Sequence, residues 1–147
     1  DKVVKKEEII YLDTVIPKVS YNIKIANKTS LPTRVFNLYL FIIFSILFDD
    51  SSEFDNICKS ENIITNSLYF NLLNCDTHIL LSLINETNQY NKLLEKIKDE
   101  LKDITIKECD LERKKKVLIS NEIFSFENLE IINDMIVDNI IFENKIE

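Results

Sequence analysis

The chain has 147 residues, a net charge of −7 and no glycine. That length suits one domain with a real core, and the acidic balance excludes a general electrostatic footprint for nucleic acid. The missing glycine excludes the P-loop, the dinucleotide-binding turn and the nucleophile elbow, which need backbone that glycine adopts most readily.

By the same argument a hairpin-rich β fold is disfavoured, and helices joined by Asn, Asp and Ser are expected. The 24 Ile and 16 Asn, with Lys making up 16 of 18 basic residues, point to an AT-rich coding sequence before they point to a function.

Residues 14–27 are ambiguous on pattern alone. Val19, Tyr21, Ile23 and Ile25 alternate as in a strand, while Val15, Ile16, Val19, Ile23 and Ala26 fall at helical spacing. Pro17 sits where a first turn tolerates it, and Asp13 or Thr14 can cap, so a helix is the expectation. Pro32 then marks a loop, with Ser30 or Thr33 as cap for a helix over 34–48. Its fourteen uncharged residues, Val35 to Phe48, lie between Arg34 and Asp49. At 1.5 Å per residue they span about 21 Å, short of the ~30 Å core of a bilayer. The reading is a buried core helix and no membrane span. Residues 49–60 read as an acidic loop and a short helix.

Ile64, Leu68 and Leu72 place a helix over 61–74. Asp76 or Thr77 caps the next, over 78–101. Residues 88–117 read as a long charged amphipathic helix or an insertion, with a short seam at Leu94, Ile97, Leu101 and Ile104. Residues 120–142 close the chain with an apolar stripe at Leu129, Ile132, Ile136 and Ile140. One domain over 1–147, all-α, is the sum of these readings.

No residue set points to catalysis, a cofactor or a metal. Cys75 and His78 stand three apart, half of a zinc site, but zinc takes three or four ligands and His78 is the lone histidine. A Cys/His nucleophile needs the same two groups side by side with an orienting partner. Cys58, Cys75 and Cys109 are odd in number and widely spaced, unlike a disulfide framework. They read as reduced thiols in an intracellular protein, cytoplasmic or nuclear.

An apolar helix, a short break and a second apolar helix recur at a period near 40. The pattern is carried by "VIPKVSYNIKIAN", "LPTRVFNLYLFIIFSILF" and "NIITNSLYFNLLNCDTHILLSLINE", with a weaker echo at 118–142. It resembles the armadillo/HEAT class of helical repeat. The resemblance implies a right-handed stack of helices acting as a non-enzymatic scaffold, adaptor or subunit of a larger assembly, with another protein as partner. The alternative is a compact helical bundle, of the kind intracellular or viral regulators use to capture a partner helix in a groove. Phe36, Phe41, Phe44 and Phe48 point different ways on one helix and are the candidate partner contacts, together with the basic run Lys114, Lys115 and Lys116.

Overall fold

The computed structural model describes residues 3, 5–11, 13–26, 28–75 and 78–143. In chain order its elements are β1 (Lys18–Ile25), α1 (Thr33–Phe48), α2 (Glu53–Ser60), β2 (Tyr69–Cys75), β3 (His78–Glu86), α3 (Tyr90–Glu100), α4 (Glu108–Ser125) and α5 (Leu129–Glu143). The fold is therefore α/β. This corrects the all-α expectation in both its forms, the repeat stack and the helical bundle.

Three segments expected as helices are strands or contain one. In 14–27 the alternating pattern prevails over the helical one. Val19, Tyr21, Ile23 and Ile25 all pack against the core, and β-branched and aromatic residues suit a half-buried pleated surface. In 61–74 only the second half is regular, as β2. In 78–101 the first nine residues are β3, and α3 follows after a break at 87–89. The expected caps Asp76 and Thr77 lie outside the described residues.

The sheet has order β1-β3-β2 with every pair antiparallel. The central strand β3 is apolar on both faces, the pattern periodicity cannot distinguish from a buried helix. Its odd positions Ile79, Leu81 and Leu83 are almost fully buried. The register sets Leu81 between Ile23 and Leu72, and Leu83 between Tyr21 and Phe70. Cross-strand pairs of this kind each contribute roughly 0.2–1 kcal/mol.

Among the described residues helices cover that inner face and leave the other open. From α1 come Leu40, Phe44, Leu47 and Phe48, from α2 Phe54 and Cys58, and from α3 Leu93 and Ile97. Phe48 is fully buried and meets Phe54 edge-on at 5.1 Å between ring centroids. Helix α1 is thus a core helix along its C-terminal half, while Val35, Leu38 and Tyr39 near its start are exposed. Pro32, with no side-chain cap, precedes it, not Ser30 or Thr33 acting as a cap. The stretch Thr33–Ser60 has the length and hydropathy to cross a membrane, but 39% of its most apolar window is buried in the fold. It is also broken between α1 and α2 around Asp49–Ser52. There Ser52 caps α2 by accepting from the Asp55 amide at 3.0 Å.

The α2–β2 connection shows how the chain turns sharply without glycine. Asn62 takes a left-handed φ of 56°, which Asn tolerates better than most residues. Residues at the end of β3 and just beyond it hold this loop in place. Thr87 Oγ1 donates to the Ile63 carbonyl at 2.5 Å, Gln89 Nε2 to the Asn62 carbonyl at 2.6 Å, and Asn85 Nδ2 to the Asn66 carbonyl at 2.8 Å.

The 88–117 region contains α3, a link without regular structure at 104–107 and the first part of α4. Helix α4 packs against α1. Most of the apolar side chains of its second half are exposed, as are those along α5, including Phe124 and Leu129.

Candidate functional site

The proposed partner residues do not share one surface. Phe44 and Phe48 are buried and stack on each other at 6.4 Å. Phe36 is half-buried against the core. Phe41 is exposed at its rim and lies 5.5 Å from Phe70 of β2. The lysine run divides in the same way. Lys114 is 6% exposed and pairs with Asp49, and its Nζ also donates to Ser51 Oγ at 3.2 Å. Burial holds its ammonium below the usual lysine range. Lys115 is exposed and paired with Glu112 at 2.8 Å, and Lys116 is exposed.

Peptide and ester chemistry is ordinarily done by an activated nucleophile, by paired carboxylates or by metal-bound water. Each requirement can be set against the described residues. Cys75 and His78 are register partners at the end of the β2–β3 pair, so they face each other across two strands, where sequence spacing suggested adjacent helical turns. Cys75 is exposed and His78 half-buried. Cys58 is a core thiol: burial, outweighing the opposing pull of Lys96, pushes it up to about 11. Among the described residues no three His, Cys, Asp or Glu side chains are grouped to hold a metal.

A cleft of about 590 Å³ opens between the end of α1, α2 and the α3–α4 link. Ser51, Glu53, Glu100, Lys107, Asp110 and Arg113 supply its polar wall, over Ile46, Leu47 and Phe54. Arg113 Nη1 donates to Ser51 Oγ at 2.9 Å, and its Nη2 lies 3.4 Å from Asp110. Burial, then the neighbouring Glu53, raises the Glu100 carboxyl above its ordinary range. The charges of this cleft largely answer one another, which suits a structural joint between α2 and α4 more than a site for one charged ligand. Sequence reasoning missed it because its walls come from segments sixty residues apart.

The sheet edge is the more accessible feature. With β3 in the centre, no strand pairs with the far side of β1 among the described residues. On the other edge, α1 leans on β2 through Phe41–Phe70 and an Asn37 Nδ2 to Asn74 Oδ1 bond of 2.5 Å. A strand edge carries a row of backbone donors and acceptors that an extended polypeptide can complete. The alternating residues of β1 were visible in the sequence, but its position at an edge depends on β3 and was not.

No known family's sequence pattern matches the chain, and no curated protein matches it. A solved structure does. It is a crystal structure from Alicyclobacillus acidocaldarius described as an M16-like peptidase, an assignment its description leaves provisional. The TM-score is 0.71 at 18% identity, over 81% of this chain. The chain spans only 29% of the length of that structure. At that identity the likeness is one of fold. It overturns the armadillo/HEAT resemblance, and with it the argument for a non-enzymatic scaffold or adaptor and for a helix-capturing bundle. Both readings rested on an all-α fold; the expectation that the chain is no enzyme rested on the lack of a recognisable catalytic residue set, and the fold shared with a structure described as peptidase-like stands against it.

Proposed function

We propose that this chain is the peptide-binding α/β unit of a peptidase-like protein. It holds an extended polypeptide along the open edge of β1 while the bond-breaking groups come from outside the described residues. The observation that supports it is the fold shared with an M16-like peptidase at a TM-score of 0.71. The free edge of an eight-residue strand gives the reading a physical surface. Strand addition takes affinity from main-chain hydrogen bonds and selectivity from alternate side chains. Tyr21 and Ile23 on one face of β1, and Ser20 and Asn22 on the other, would sit beside the alternating side chains of the added strand. We place the protein in a reducing, intracellular compartment, a reading supported by three free cysteines, one of them buried in the core.

Hydrogen exchange of the whole chain, with and without an unstructured peptide of mixed sequence, tests the binding step. The peptide is expected to slow exchange of β1 amides and leave those of α2 unchanged. Absence of any protection at millimolar peptide, or protection confined to the α2–α4 cleft, contradicts the assignment. A fluorogenic peptide assay on the longest natural form of the protein tests the peptidase part separately.

A further inference from the structure

The register fixes which backbone groups the free edge of β1 offers. The Thr87 amide donates to the Pro17 carbonyl at 3.0 Å, one step beyond the Lys18–Glu86 pair on the same register. In an antiparallel ladder such bonded positions alternate with unbonded ones. Val19, Tyr21, Ile23 and Ile25 therefore turn their amides and carbonyls to β3. Lys18, Ser20, Asn22 and Lys24 turn theirs to the open side.

The side chains of the two sets lie on opposite faces. On the inner face Tyr21, Ile23 and Ile25 are half-buried against the core. On the outer face Ser20 and Asn22 bond to each other, and Asn22 Oδ1 also accepts from Ser82 Oγ at 2.7 Å. Lys18 lies 3.9 Å from Glu86 and is answered there. Lys24 differs. It is half-buried opposite Leu80 and has no ion-pair partner among the described residues. The edge thus carries one unanswered positive charge beside a row of apolar side chains.

We propose that this edge selects the polypeptide it takes by alternation and charge: apolar residues opposite Ile25, Ile23 and Tyr21, and an aspartate or glutamate opposite Lys24. The inference rests on strand addition at β1 and names what is added. Every pair in the sheet is antiparallel, and an incoming strand that continues the pattern runs against β1. Its residues opposite Lys24, Asn22 and Ser20 share the main-chain bonds. Its residues opposite Ile25, Ile23 and Tyr21 take the unbonded positions, where side chains come closest. Read from its N-terminus, the segment is apolar, acidic, apolar, polar, apolar, polar. An acidic residue opposite Lys24 gains a cross-strand pair, and a basic one meets a like charge. Lysine on an edge strand also guards it against indiscriminate pairing.

Binding of labelled, end-capped peptides to the whole chain, read by fluorescence anisotropy, decides it. One probe alternates Val and Thr and carries Glu at its second position (Val-Glu-Val-Thr-Val-Thr-Val-Thr-Val), and a second carries Lys there. At roughly 0.15 M salt, where long-range attraction is screened, the Glu probe is expected to bind about fivefold more tightly. Lys24→Glu is expected to reverse the order, with a circular dichroism spectrum matching the parent. The net charge of −7 pushes the other way, so a preference for Glu reports the local pair. N-methylation of the Glu and Thr amides, which face β1, is expected to abolish binding, and methylation of one Val amide to leave it. Equal binding of the two probes, or an order that Lys24→Glu leaves unchanged, overturns the selectivity while strand addition stands. Failure of both probes to bind at millimolar concentration overturns strand addition and the selectivity with it.

Discussion

The molecule has two regions with opposite relations to water. Between β1 and α3 the apolar residues on the inner face of the sheet and on the helices over it have found one another: Phe48, Leu81, Leu93 and Cys58 show no exposed surface. In α4 and α5 the same residue types face outward, with Ile119, Ile123, Phe124 and Leu129 all more than 60% exposed. Composition does not separate the regions; partners do. Three strands and three helices enclose the first, whereas α4 has α1 to lean on and, among the described residues, α5 packs extensively against no element.

The sharpest way to break that comparison is to cut one large apolar side chain in each region. Phe48→Ala is expected to cost about 3–5 kcal/mol, the value of a filled aromatic site in a packed core. Phe124→Ala, 64% exposed, is expected to change stability by less than about 0.5 kcal/mol. Denaturant unfolding of the two variants gives both numbers. Equal losses would mean that α4 is buried against something in solution.

The joint between the regions comes next. Lys114→Ala removes the ion-pair partner of the partly exposed Asp49, which keeps the Ser51 amide and hydroxyl as donors, and is expected to cost roughly 2 kcal/mol. Its neighbour Lys115 is exposed, and Lys115→Ala should leave the unfolding midpoint unchanged. A smaller effect belongs to the glycine-free turn. Asn62→Ala places a β-carbon in the left-handed region without the amide and is expected to cost about 1 kcal/mol.

Chemical probes sharpen the comparison with less perturbation. A thiol reagent at mildly alkaline pH should label exposed Cys75 and Cys109 and leave Cys58, whose thiol burial holds near 11, until the core opens. Peptide mapping of the labelled chain reads this directly. Glu100 offers a pH test. Its raised carboxyl makes the folded state bind this proton at higher pH than the unfolded chain does. That group therefore opposes folding above the raised value, and the opposition fades as pH falls through it. Glu100→Gln should raise the melting temperature slightly at neutral pH and leave it unchanged in acid.

Which elements were legible follows from how many faces each one buries. Helix α1 was readable because its long uncharged run ended sharply at Asp49; a short helix was expected within 49–60, and its start at the Ser52 cap with an acidic first turn was added by the structure. The strand β3 was not, since Leu80 and Ile84 on its open face fill the gaps that would have revealed a period of two. Strand β1 carried both periods, and only pairing with β3 decided between them. The absence of glycine was over-read: Asn62 supplied the left-handed residue, and β2 and β3 pair although no glycine lies between them.

The candidate contacts were less legible still. The phenylalanines of α1 share a residue type and a helix, yet Phe44 and Phe48 face the sheet while Phe41 reaches only the edge of β2. Lys114 and Lys115 are neighbours in sequence, but one full helical step turns the first toward Asp49 and the second toward solvent. The edge of β1 and the open face of the sheet are products of strand order, which no local pattern encodes.

The account rests on β1 lying beside β3. Long-range nuclear Overhauser contacts between backbone protons test this most directly. Cross-strand contacts are expected for the pairs Tyr21–Leu83 and Ile23–Leu81, with none of the three- and four-residue contacts of a helix over 18–25 or 78–86. Helical contacts through either segment, with the cross-strand pairs missing, would contradict the α/β fold and every functional reading built on it.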